Sequence, residues 1–73
     1  MRTVSGAKYR IDSKVRAVKG PGGSMDAEPF NIGKVGVVLD VHYMRGDRCH
    51  YYTVGFEAGV RDVVDESSLE RSA

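Results

Sequence analysis

The chain has almost no cysteine, no tryptophan and no apolar stretch of any length, and each absence removes a class of protein. Cys49 is the only cysteine, so no disulfide can close within the chain, and a reducing, cytoplasmic setting is the expectation. No run approaches the roughly 18 apolar residues of a bilayer-spanning helix, and the opening MRTVSGAKYR lacks the apolar centre of a secretory signal; no membrane is expected as a partner. A large excess of either charge is also missing. The formal net charge is +1, which argues against a generic polyanion binder. Nor is there length for a large interior: a chain of 73 residues buries only about 60% of the surface it exposes when unfolded, so its core must be compact.

What the chain does have is alternation. In GKVGVVLDVHYMRGDRCHYYTVGFE, residues 33–57, the odd positions Val35, Val37, Leu39 and Val41 are apolar, while Gly36, Asp40 and His42 fall between them. This is the period-two pattern of a half-buried strand. In the second run the apolar set moves to Tyr52, Val54, Phe56 and Ala58, with Tyr51, Thr53 and Glu57 on the other face. Setting apolar against apolar predicts a hairpin with Val37 opposite Phe56, Leu39 opposite Val54 and Val41 opposite Tyr52. Gly46 and Asp47 are then the centre of a two-residue type II′ turn, in which glycine supplies the positive φ.

The rest of the chain is read around this hairpin. Residues 1–7 are expected to be a loose tail, and residues 8–73 one domain. Tyr9 and Ile11 alternate with polar neighbours and are expected to extend an edge strand, and SKVRAV, residues 13–18, forms a short strand with Val15 and Ala17 inward. Residues 19–33, KGPGGSMDAEPFNIG, hold four of the nine glycines and both prolines, so a long loop is expected there. Loops of that length are often functional, which makes Met25 and Phe30 candidate contacts, with Phe30 and Ile32 expected to tuck the returning end onto the core. Glu57-Ala58-Gly59 supplies a turn, VRDVV a fourth strand, Asp65 to Ser68 a turn or single 3₁₀ turn, and Leu69 a last apolar anchor. The expected fold is all-β: a small five-stranded SH3-like barrel with a long glycine- and proline-rich first loop.

GKVGVVLDVH, then YTVGFEA, then an acidic segment closing on Ser68-Leu69-Glu70, resembles the C-terminal SH3-like domain of the nitrile hydratase β subunit. Ser13-Lys14-Val15-Arg16, followed by Phe30-Asn31 and Val35-Gly36, is similar to the small barrel protein of photosystem I, an accessory protein of electron transport. The likeness covers about residues 13–71, and its motifs are short and mostly structural. In the hydratase family the metal ligands lie on the other subunit, so the resemblance carries no ligand onto this chain. It implies a barrel that works by docking onto larger subunits. Leu69-Glu70-Arg71 also matches a terminal run of the type II dihydrofolate reductases. Their pore-lining Val-Gln-Ile-Tyr falls on Arg61-Asp62-Val63-Val64, where the glutamine and tyrosine are missing.

Residue clusters that suggest chemistry have plainer readings. His42, Cys49 and His50 are ligand types for zinc, but no C-x-x-C is present, and adjacent Cys49 and His50 point to opposite faces of a strand; no metal or cofactor is expected. Arg45-Gly46-Asp47 reads as the hairpin turn, and the glycines at residues 20–23 lack the Gly-Lys-Ser/Thr of a phosphate loop. Charge is unevenly spread. Residues 1–24 carry six basic side chains against Asp12, and residues 56–73 carry five acidic side chains against Arg61 and Arg71. A nucleic-acid reading of the KOW-like type places Lys14, Arg16 and Lys19 on phosphates and stacks a base on Tyr51 beside His42. The expectation is a non-catalytic docking or accessory module that binds a larger protein subunit or self-associates. Nucleic-acid binding is the alternative, and a small reductase-like barrel enzyme the third. Lys14, Arg16, Lys19, Met25, Phe30, His42 and Tyr51 are the candidate contact residues.

Overall fold

A computed structural model of the chain describes residues 6–19, 27–46 and 48–72. Five strands, β1 (Lys14–Ala17), β2 (Val35–Met44), β3 (Cys49–Gly55), β4 (Arg61–Asp65) and β5 (Leu69–Arg71), form one antiparallel sheet in the order β4-β3-β2-β1-β5. Three 3₁₀ turns, Pro29–Asn31, Glu57–Gly59 and Glu66–Ser68, make up the remaining regular structure among the described residues. β4 and β5 stand at opposite ends of the order, yet only the turn Glu66–Ser68 separates them along the chain. A flat sheet would hold its outer strands about 19 Å apart at about 4.8 Å per spacing. Four fully extended residue steps reach only about 14 Å. The sheet is therefore strongly curled, with β4 and β5 brought near each other at this turn, although no ladder joins them among the described residues.

The concave side holds the core: Tyr9, Val15, Ala17, Val38, Val41, Tyr52, Val54, Phe56, Val64 and Leu69, with Ala27 from the loop. Val15 and Ala17 point inward as the alternation of SKVRAV requires, and Leu69 is the apolar anchor after the last 3₁₀ turn. The inward set of β3 is also as expected for Tyr52, Val54 and Phe56, whereas Ala58 lies exposed in the turn Glu57–Gly59 with φ 60°.

The first strand of the hairpin departs from its expected parity. Val41 is opposite Tyr52, as the pattern predicts, but Val38 is opposite Val54 and Val37 opposite Gly55. The register shifts between Val38 and Asp40, so Leu39 and Asp40 together oppose Thr53 in a β-bulge. The extra residue reverses the faces. Val38 is fully buried, while Val35 and Leu39, expected in the core, are 44% and 40% exposed. The reversal turns Gly36 inward, where an added Cβ would lie 2.6 Å from Val54 Cγ1 and 2.8 Å from the Gly55 carbonyl oxygen. Only glycine fits there, and its lack of a side chain permits the close approach of β2 to β3.

The hairpin connection also differs from the type II′ expectation. Its last ladder pair is Met44 with Cys49, and the Arg48 N–H donates to the Arg45 carbonyl at 3.3 Å. The positive φ, 49°, falls on Arg48 and not on Gly46.

Two further segments are organised differently from their patterns. Tyr9 and Ile11 do not extend a strand. A turn closed by Ser13 N–H on the Arg10 carbonyl, with Asp12 at φ 73°, folds this segment back, and the Tyr9 ring packs edge-on to Tyr52 at 5.3 Å. The returning end of the long loop is not held by Phe30 and Ile32, which are 62% and 40% exposed. Ala27 and Asn31 are the buried residues there. A single carboxylate oxygen, Asp62 Oδ2, accepts from the Glu28 N–H at 2.8 Å and from Asn31 Nδ2 at 3.1 Å. Polar anchoring replaces apolar anchoring because the segment uses one of its prolines and its 3₁₀ turn to change direction, leaving N–H groups that need an acceptor.

Candidate interaction surface

Because the bulge sends Val35, Val37 and Leu39 outward, the convex side of the sheet carries an apolar strip. Register places its neighbours. Val37 is flanked by Gly55 on β3 and Lys14 on β1, Gly55 is flanked by Arg61 on β4, and Thr53 is opposite Val63. Directly opposed residues share a face, so Arg61, Gly55, Val37 and Lys14 form one row across four strands. Gly55 has no side chain, and Leu39 fills the gap: its Cδ1 lies 2.9 Å from where a Cβ on Gly55 would be. Val63 is 41% exposed on the same side. The result is an apolar strip of Val35, half-buried Val37 and Leu39 along β2, with Val63 across Thr53 and Gly55 on β4, Lys14 and Arg16 along one margin and Arg61 on the other.

The candidate residues read from the sequence are dispersed. Lys14 and Arg16 border the patch, and Arg16 Nη1 also pairs with Glu70 Oε2 at 3.2 Å in the open. Lys19 belongs to a different place, an open hollow of about 470 Å³ lined with Ala27, Glu28, Pro29 and Ile32, where Pro29 adjoins exposed Phe30. Met25 lies outside the described residues. His42 is exposed and opposite Tyr51, as expected. Tyr51, however, is buried at 5% exposure and presents no open ring face on which a base could stack. The more open aromatic pair is instead Tyr43 and half-buried His50, ring centroids 4.9 Å apart, beside Arg45 and Arg48 at the hairpin tip.

Asp40, His42 and Thr53 come together on the convex side in a way that suggests an acid–base triad. The geometry does not allow it. Asp40 Oδ2 at 3.5 Å and Thr53 Oγ1 at 3.4 Å both address the same ring nitrogen, His42 Nε2, whereas a relay needs the carboxylate and the hydroxyl on opposite nitrogens. Among the described residues no group of three His, Cys, Asp or Glu side chains is placed to hold a metal ion, and no helix is long and apolar enough to cross a membrane.

The structure also redistributes the near-neutral charge of the sequence. All ten Lys and Arg among the described residues are exposed, but three of their eight acidic residues, Asp62, Asp65 and Glu66, are withdrawn into internal hydrogen bonds. Asp62 holds the loop, Asp65 accepts from the Ser67 hydroxyl at 2.5 Å and the Ser68 N–H at 3.1 Å, and Glu66 Oε1 accepts from the Tyr52 hydroxyl at 2.6 Å. Among the described residues the fully exposed charged side chains are therefore ten basic against five acidic. Lys14 and Arg61 have no ion-pair partner among the described residues.

Val35, Val37, Leu39, Val63 and Arg61 were not singled out as contacts by the sequence reading. The signal that could have found them was the uninterrupted apolar run Val37-Val38-Leu39, which is compatible with either parity, together with inward-fitting Gly36. Against known proteins, the chain matches no family model, no curated protein and no solved structure.

Proposed function

We propose that this chain is a non-catalytic SH3-like docking module that binds a larger protein partner in the cytoplasm. The observation that carries the reading is the set of apolar side chains turned outward on the convex side of the sheet, Val35, Val37 and Leu39 on β2 and Val63 on β4, since exposed apolar clusters on a small domain mark interaction sites. The strand order, with a single 3₁₀ turn between the last two strands, is compatible with the barrel class of the hydratase β subunit and the photosystem I barrel protein. Relatives of that class dock onto larger subunits. The test is co-purification of the untagged protein from its native host, with Leu39→Ser/Val63→Ser as the comparison. A stoichiometric protein partner retained by the wild type and lost by the double variant is the expected result.

Nucleic acid is kept as a second reading because of the exposed basic set, including Arg45 and Arg48 beside the Tyr43–His50 pair. It predicts affinity that falls steeply with salt and survives Leu39→Ser/Val63→Ser. Oligonucleotide binding with both properties, and no protein partner, would replace the docking reading.

A further inference from the structure

We infer that the partner element seated on the convex patch is an amphipathic helix whose apolar stripe is bordered on both sides by carboxylates. The inference rests on the docking reading and adds the chemistry of the partner. The patch has a cationic margin on each side: Lys14 opposite Val37 on β1, and Arg61 opposite Gly55 on β4. Both are exposed and without an ion-pair partner among the described residues. Three strand spacings separate them, up to about 14 Å. A bound strand is one spacing wide, about 4.8 Å, and cannot reach both margins at once. A helix with its side chains is about 10–12 Å across and can. Val35, Val37 and Leu39 on β2 lie between the two margins and Val63 stands two residues from Arg61 on β4; an apolar stripe would be desolvated there, and cations at the rim reward acidic flanks and repel basic ones. Of the exposed acids near it among the described residues, Glu70 pairs with Arg16 at 3.2 Å and Asp40, opposite Thr53, stands 3.5 Å from His42; neither pairs with Lys14 or Arg61.

The probes are two labelled helical peptides with the same leucine stripe, one bordered by Glu and the other by Lys, together with a single-stranded oligonucleotide as a polyanion without an apolar stripe. Fluorescence anisotropy with the full chain is expected to show at least tenfold tighter binding of the Glu-bordered peptide. Lys14→Glu/Arg61→Glu should reverse that preference. Leu39→Ser/Val63→Ser should weaken both peptides at least tenfold. Amide NMR spectra verify that these surface variants are folded, and shifts in the wild type should cluster at Val35–Leu39, Gly55 and Val63. Equal affinity for the two peptides, no binding of either, or a preference untouched by the charge reversal would overturn the inference. So would an oligonucleotide that binds more tightly than the Glu-bordered peptide and tolerates the serine substitutions. If the co-purifying protein partner is retained by both double variants, docking stands and this face is the wrong one. If no protein partner exists, the docking reading fails as well.

Discussion

The Tyr52 hydroxyl, on β3, donates to Glu66 Oε1 at 2.6 Å while accepting the Lys8 and Tyr9 backbone N–H groups at 3.0 and 3.3 Å. One buried phenol thus joins the central strand, the turn before β5 and the segment leading into β1. Burial, and then the hydrogen bond to the Glu66 carboxylate, push its pKa far above the ordinary 10.0.

The sign of the resulting pH dependence follows from linkage. With the folded value above the unfolded one, the contribution of Tyr52 is complete below about pH 10. It is lost at higher pH as the unfolded chain gives up a proton that the folded chain keeps. Urea melts should therefore show stability falling above about pH 10 in the wild type and falling less in Tyr52→Phe. At neutral pH the same variant should be about 1–3 kcal/mol less stable, because the Tyr9 N–H loses its acceptor and Glu66 loses one of its two donors, keeping only the Lys8 N–H at 3.0 Å. Parallel alkaline losses in the two proteins would contradict this assignment.

The bulge makes a sharp prediction about neighbouring residues. Val38→Ala removes two buried methyl groups and should cost about 2 kcal/mol or slightly more, whereas Leu39→Ser should change stability by less than about 1 kcal/mol. Gly36→Ala should be more damaging than either, since the added methyl meets the Gly55 carbonyl as well as Val54. An uninterrupted hairpin register would give the opposite ranking of Val38 and Leu39, so thermal melts of the three variants decide the matter.

Arg48 occupies a left-handed conformation, φ 49°, that costs a non-glycine residue about 1 kcal/mol. Arg48→Gly should raise the melting temperature or leave it unchanged. Gly46→Ala should be tolerated, because Gly46 lacks positive φ and an added Cβ there meets nothing within 4 Å. A large loss in Gly46→Ala would restore the type II′ turn.

Asp62 is the clamp on the returning loop. Asp62→Ala should cost about 1.5–3 kcal/mol, the range for hydrogen bonds to a charged acceptor. It should also accelerate amide exchange at residues 28 and 31, the two residues it holds, without affecting Val15 or Val54. Shortening residues 21–26 with Ala27 kept should leave stability within about 1 kcal/mol, since loop entropy changes slowly with length.

The sequence by itself determined the class of fold and the positions of all five strands in outline, because strand periodicity, turn residues and scarcity of helix pattern are local properties of the chain. It also determined the inward set of β1 and, in β3, Tyr52 and Val54, where polar and apolar residues alternate. It could not determine the parity of β2. Val37-Val38-Leu39 satisfies both faces, and the choice fell to the bulge, which answers to how tightly β3 must approach Gly36. For the same reason the apolar patch was hidden: its residues look like core until one inserted position turns them out. Tyr51 shows the converse, a residue outward by parity yet buried in the fold. Charge was equally non-local. The composition sets ten acids against eleven bases, but only the tertiary structure draws Asp62, Asp65 and Glu66 inward as acceptors for N–H and O–H groups far along the chain or at a turn, leaving the basic residues to face solvent.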